Sequence, residues 1–448
     1  MKKICRLISA VLLFSMLISA AISLSSCGKI GAASTVLKIS DNMNALDSYR
    51  ANTRVSMSYY VDNSRITSVS ESTLIEAGIN DPESYFFYRD TVSTVESENL
   101  GISTSFSQME AYDGETYYIK STNGDKSNKI SGPMTKDEFF ELQGGFNVAL
   151  SGAKKIKETK NSDGSGKIEC SGFSRKVLTS ITASLGIGSG ELGEDVSDLK
   201  IYIDYDKELR IKKIDYLFVF AVSKNQKKYP SLRIIYEYSD YNSAQDNPRL
   251  VAPAGYDCYE DLKMFFKIEE LVEEKINDKN GKFESYTSQS ASVGLVKTSF
   301  KQKDTVRYGK KWSGYYFNIK MDINDVKFAM QYKKGKLKTK GAGVSESEEI
   351  SDGSAKSYIA SLIDNAKLNL INLKSIEEVE DGVYFITYNV IDTSEYVAII
   401  KPYGGQLSKC EHTATVTLNS KGELETVESF IKVSGSGTVS AKTINKFN

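Results

Sequence analysis

The same order of segments is written twice along this chain of 448 residues, and that doubling constrains the fold more than any single motif does. The first copy opens at residues 35–47. Val36, Ile39, Met43 and Leu46 recur there at helical spacing, which predicts one apolar helix face. Ser48 and Tyr49 follow, and then Val55, Met57, Tyr59 and Val61 alternate as in a half-buried strand. The second copy opens at 260–276, where Leu262, Phe265, Phe266, Ile268, Leu271, Val272 and Ile276 mark a helix face, and continues into an alternating segment through Val293, Leu295 and Val296. Each middle holds a short helical block. Residues 134–142 carry Thr135 as a cap with Glu138 three places on, and 354–363 carry Ala355, Tyr358, Ile359 and Leu362 on one side. A third helical segment, 175–185, has only a short echo at 393–397. Each copy finishes in a hairpin, 199–219 turning at Asp206 and Lys207, and 413–433 turning at Ser420, Lys421 and Gly422. Residues 242–258, with Pro248 and Pro253, read as the boundary. The tail from 434 to 448 is rich in Ser, Gly and Thr and predicts an edge strand or a frayed end.

Length and composition agree with two sheet-rich domains, 36–258 and 259–448. More than 400 residues remain after any leader, too many for one ordinary core. Tyrosine is used 27 times, proline 6 times and tryptophan once, a mix that suits extended antiparallel strands with polar turns. A formal net charge of −1 argues against a nucleic-acid partner, which needs a basic footprint.

The N-terminus carries an address. Met1, Lys2 and Lys3 form a basic start, residues 7–24 are apolar but interrupted by Ser9, Ser15, Ser19 and Ser23, and Leu24-Ser25-Ser26-Cys27 ends the run. An uncleaved membrane anchor would sit near the lower length limit for a spanning helix, and the interrupting serines suit a leader better. The small residues before Cys27 resemble the lipobox of bacterial lipoproteins. The resemblance implies cleavage of the signal 1–26 between Ser26 and Cys27, a diacylglyceryl thioether on Cys27, and a position on the outer face of the cytoplasmic membrane. Two acyl chains anchor stably where one does not. Residues 27–35, small and polar after the cysteine, then read as the lipidated tether.

Signals for chemistry are weak. Cys5 belongs to the leader, and Cys170, Cys258 and Cys410 are odd in number and lie far apart; three free thiols are expected rather than a disulfide framework, with one bridge and a free third thiol as the alternative. His412 is the single histidine, which removes multi-histidine metal sites; its place two residues after Cys410 permits a Cys–His pair in form, without an evident orienting partner or oxyanion loop. The acidic groups Asp204 and Asp206, Asp322 and Asp325, and Glu346, Glu348 and Glu349 read as solvated turn residues rather than a glycosidase pair. Neither 322–325 nor 161–164 follows a calcium loop. The glycines of 186–190 and 341–343 lack the lysine and the context of a phosphate loop. The aromatic clusters 85–88, 117–118 and Trp312 with 315–317 read mainly as core or pocket lining. No catalytic residue, metal or cofactor is expected, and no individual ligand-binding residue is identified.

The first half, with Ser48 and Tyr49 leading into long strands, Tyr112-Asp113-Gly114-Glu115-Thr116-Tyr117-Tyr118-Ile119 in mid-domain and Ala252-Pro253-Ala254-Gly255-Tyr256 at its close, resembles the LolA/LolB and LppX-type lipoprotein carriers. Glu115 stands where that family's hairpin has lysine. The resemblance extends over roughly 36–257 and, more weakly, 261–433. It implies an α+β fold: two tandem, strongly curved antiparallel sheets, incomplete barrels, each covered by a few helices. It also implies holding a lipid, lipopeptide or other amphiphile in an apolar cavity; with no catalytic signature in the chain, a non-enzymatic role is expected, and an envelope protein is a candidate partner. The alternative is a surface lipoprotein that binds protein or glycan as a scaffold and has no ligand cavity.

Overall fold

The computed structural model describes residues 27–61, 64–81, 84–97, 102–143, 153–174, 178, 196–220, 231–277, 280–293, 296–311, 314–341, 343–350, 352–364, 366–390, 407–435 and 437–447. The chain divides into two compact units, Met1–Gly124 with Pro133–Tyr256, and Asp125–Gly132 with Asp257–Asn448.

In the first unit, helix α1 (Cys27–Asn44) precedes strands β1 (Tyr49–Val61), β2 (Ser64–Ala77), β3 (Phe86–Ser97), β4 (Ile102–Tyr112) and β5 (Thr116–Asn123). The chain next forms strand β6 (Lys126–Pro133) and helix α2 (Lys136–Gln143). It then returns through β7 (Ala153–Lys160), β8 (Gly166–Phe173), β9 (Val196–Tyr205), β10 (Ile211–Phe220) and β11 (Ser231–Ser239). The strands of this unit lie in the order β5-β4-β3-β2-β1-β11-β10-β9-β8-β7. The outgoing and returning meanders therefore meet where β1 pairs with β11.

The second unit repeats this plan. Its strand β12 (Asp257–Cys258) pairs in parallel with β6. Helix α3 (Leu262–Asn277) leads into β13 (Asn280–Val293), β14 (Val296–Lys311), β15 (Gly314–Ile323), β16 (Val326–Lys333), β17 (Lys336–Gly341) and β18 (Val344–Glu349). Helix α4 (Asp352–Asp364) separates them from β19 (Leu373–Glu380), β20 (Val383–Tyr388), β21 (Leu407–Leu418), β22 (Leu424–Gly435) and β23 (Gly437–Phe447). The sheet runs β18-β17-β16-β15-β14-β13-β23-β22-β21-β20-β19, again joining first strand to last.

Local chemistry accounts for the turns. Asp206 Oδ1 accepts from Arg210 N at 2.8 Å and its Oδ2 from Arg210 Nε at 2.9 Å, closing the β9–β10 hairpin. Asn419 does the same for β21–β22, accepting from Lys421 N and Glu423 N, with Gly422 at φ 75°. At α2, Thr135 Oγ1 accepts from Glu138 N while Glu138 Oε2 accepts from Thr135 N at 2.9 Å, a reciprocal cap.

Three expectations are corrected. The α+β class with helices covering each sheet does not hold: the fold is mostly β, with four α-helices against twenty-three strands among the described residues. The helical periodicities were real, but each helix covers only part of a sheet, and α2 packs through Phe139 on the aromatic end of one face. α1 meets β7, α4 meets β15 and α3, and α3 meets β22. Second, residues 28–35, expected as a flexible tether, are helical within α1; Ala32 and Ala33 favour helix, and Ala32, Val36 and Ile39 give it buried positions. Third, the tail is no edge. β23 lies between β13 and β22 with Val439, Asn445 and Phe447 buried. Residues 179–185 and 393–397 lie outside the described residues. Cys170, Cys258 and Cys410 are free thiols, and no helix of the described residues is long and apolar enough to cross a membrane.

Candidate functional site

The inner face of the first unit's sheet, the face that carries its buried side chains, is composed of cross-strand rows. The first row reads Tyr49, Glu76, Phe87, Tyr112 and Tyr117 across β1 to β5. Tyr85, just before β3, and Phe139 and Phe140 of α2 cover it. Phe139 stacks on Tyr112 with ring centroids 4.3 Å apart and meets Tyr85, Phe87 and Tyr117 edge-on or tilted. Lys136 Nζ lies 4.5 Å from the Tyr85 ring centroid.

A carboxylate sits inside this aromatic box. Glu76 is 3 % exposed, and Tyr85 Oη donates to its Oε1 at 2.9 Å. Burial pushes the Glu76 carboxyl up to about 7, against the opposing pull of hydrogen bonds from Tyr49 and Tyr85. Burial and the neighbouring Glu76 raise both tyrosines well above their ordinary range. The second row pairs Arg89 with Glu110. Arg89 Nε donates to Glu110 Oε2 at 2.6 Å, a second guanidinium nitrogen donates to the same oxygen, and Tyr117 Oη donates to Oε1.

Further along, the face divides into two chemistries. The third row runs Ile168, Ile203, Ile214, Tyr236, Thr53, Ser72, Thr91, Gln108 and Ser121 from β8 to β5. The fourth runs Cys170, Ile201, Tyr216, Ile234, Val55, Ser70, Ser93 and Phe106. Strands β8 to β11 thus present mostly aliphatic and aromatic groups, and β1 to β5 present mainly hydroxyls, interrupted by Val55, Phe106 and Gln108. Ser70 and Ser93 share a hydrogen bond of 2.8 Å. The hydroxyls of Ser68, Ser72, Ser97 and Tyr236 are buried without a hydrogen-bond partner. Each such group costs about 1–3 kcal/mol relative to a satisfied one.

The residues singled out in the sequence are not brought together. Cys27 heads α1, and Ser26, Trp312 and residues 186–190 lie outside the described residues. His412 accepts or donates at Ser429 Oγ, 3.0 Å from Nε2, and stacks on Tyr388. Burial pushes the neighbouring Cys410 thiol up to about 11, which leaves it protonated at neutral pH and a poor nucleophile. Asp204 lies 3.5 Å from Lys167, Asp206 closes its turn, and Asp325, Glu346, Glu348 and Glu349 are exposed. Among the described residues no group of three or more His, Cys, Asp or Glu could hold a metal ion. Tyr85, Phe87, Tyr117 and Phe317 are core residues, matching the lining role read for the aromatic clusters. Glu76, Arg89 and Glu110 were missed. Their signal was phase: Arg89 alternates with Phe87 and Thr91, and Glu76 closes the apolar pair Leu74 and Ile75.

No family model matches the chain, and no curated protein does. Among solved structures, the chain is similar to a LolA superfamily protein of Nitrosomonas europaea at 11% identity and a TM-score of 0.15, over 40% of this chain and 90% of that one. A DUF1329 family protein of Desulfovibrio piger gives 13% identity and 0.17, over 42% and 91%. The MucA/MucB complex of Pseudomonas aeruginosa gives 7% identity and 0.22, over 93% and 94%. Scores at this level fall short of a shared fold.

Proposed function

We propose that this chain is an exported lipoprotein, tethered through Cys27 at the outer face of the bacterial cytoplasmic membrane, whose first unit binds a lipid, lipopeptide or other amphiphile without chemical turnover. The observation that carries the binding reading is the pair of partnerless hydroxyls, Ser72 and Tyr236, in the row where the hydroxyl half of the inner face meets the aliphatic half. An amphiphile matches such a face. Its chain gains about 0.8 kcal/mol per CH₂ buried against β8 to β11, and its polar head supplies the hydrogen bonds that Ser68, Ser72 and Tyr236 lack. The tether reading rests on the Leu24–Cys27 motif, and it suits local reception of lipid rather than a freely diffusing shuttle.

Native mass spectrometry with organic extraction, on the chain begun at Gly28, tests the binding. The expected result is a co-purified amphiphile at fixed ratio, lost when Ser72→Val and Tyr236→Phe are combined. A clean apo mass, unchanged by added phospholipid or lipopeptide, would overturn the proposal in favour of a scaffold that binds protein or glycan. For the tether, Cys27→Ala in the full chain should abolish palmitate labelling and detergent-phase partitioning; retention of both would refute it.

A further inference from the structure

We propose that the second unit carries a binding site for a primary ammonium group, formed on the inner face of its sheet by Asp304, Ser285 and Asn445. The three lie in one cross-strand row: Ser285 of β13 is directly opposite Asp304 of β14 on one side and Asn445 of β23 on the other. Neighbouring strands lie about 4.8 Å apart, so the two outer residues flank Ser285 across roughly 9–10 Å of backbone. That gap suits one small group held between their side chains. Asp304 is 7 % exposed and Asn445 2 %. Gln302 Nε2 donates to Asp304 Oδ2 at 2.7 Å, while Asp304 Oδ1 and Asn445 Oδ1 are buried with no hydrogen-bond partner.

Two orphaned acceptors, one of them on a carboxylate, call for a donor with positive charge. An ammonium offers three N–H groups to three oxygens: Asp304 Oδ1, Asn445 Oδ1 and the Ser285 hydroxyl. A divalent metal would want more carboxylates or imidazoles than the described residues provide. The surroundings fit a cation on a carbon chain. The adjacent row, Phe447, Phe283, Val306 and Ile319, is a buried apolar wall, and Thr443, Thr287 and Gln302 border the other side. Burial raises the Asp304 carboxyl above its ordinary value, a cost that a bound cation offsets. This site stands apart from the amphiphile face of the first unit and does not depend on it.

Calorimetric titration of the full chain in nonionic detergent with ethylammonium, and separately with tetramethylammonium, decides the matter. Ethylammonium should bind saturably, and tetramethylammonium, which has no N–H, at least about tenfold more weakly. Asp304→Asn should lose about tenfold in ethylammonium affinity, and Asn445→Asp, which adds a second negative oxygen, should gain. Circular dichroism checks that each variant is folded; should Asp304→Asn fail to fold, the cation pair and Asn445→Asp still give the answer. Absence of saturable ethylammonium binding, equal binding of the two cations, or affinity unmoved by Asn445→Asp would overturn the proposal.

Discussion

Replacing Glu76 with glutamine should remove a pH dependence of stability that the buried aromatic box imposes on the first unit. In the folded chain the Glu76 carboxyl titrates at about 7, and in the unfolded chain it returns to the ordinary value near 4.5. The folded state therefore holds its proton more tightly. That stabilising contribution is complete below pH 4.5 and disappears as the pH rises through 7, because the ionised carboxylate must then remain buried. The interval, at about 1.4 kcal/mol per pH unit, is worth roughly 3 kcal/mol. Glu76→Gln keeps an oxygen for the Tyr85 hydroxyl, seen at 2.9 Å, and cannot ionise. Urea unfolding followed by far-ultraviolet circular dichroism at pH 5, 6.5 and 8.5 is the assay. Other titrating groups cancel between the two proteins, so the variant should gain on the parent by about 2.5 kcal/mol between pH 5 and pH 8.5. A stability difference that stays constant over that range would refute the reasoning and show that water or a cation reaches Glu76.

Two further predictions concern packing. Arg89→Met strands the buried Glu110 carboxylate and should cost about 3–5 kcal/mol, while the double variant Arg89→Met with Glu110→Leu recovers most of the loss; equal costs in thermal unfolding would mean that the pair is not desolvated. In the second unit, Gly281 lies opposite Tyr308, and a Cβ there would overlap the tyrosine ring, whose hydroxyl donates to Lys275 O. Gly281→Ala should lower stability by about 1–3 kcal/mol, and an unchanged melting temperature would show that the ring can move aside.

The features most legible in the sequence were those carried by neighbouring residues. The Thr135–Glu138 cap, the Asp206 and Asn419 turns and the helix at Leu262–Asn277 all follow from contacts within a few positions. Sheet order depends on partners far apart, as where β1 meets β11, and no local pattern encodes it. The buried charges were hidden because period two places Arg89 and Glu110 on a face without saying which face is covered. The helical cover was over-weighted: it came from the resemblance to the carrier family, not from the few amphipathic segments themselves. The strands themselves carry Ser and Thr at alternating positions, as at Ser68, Ser70 and Ser72, and these mask a sheet that buries hydroxyls as well as hydrocarbon. β23 illustrates the same blind spot, since a Ser- and Thr-rich tail read as marginal supplies a central strand.

The position of β23 also orders events in time. Its partner β13 is made early, and Phe283 must wait for Phe447, about 160 residues later in the chain, before that pairing can form. Until then β13 and β22 both present open backbone to any other strand. A chain that crosses a membrane from its N-terminus would deliver the first unit complete and the second still unzipped. Pairing at such separation is slow, so the interval before closure is when a holdase would find a client and a protease a substrate. Mutations that weaken the β13–β23 seam should therefore first lower the yield of folded protein rather than the melting temperature of what survives.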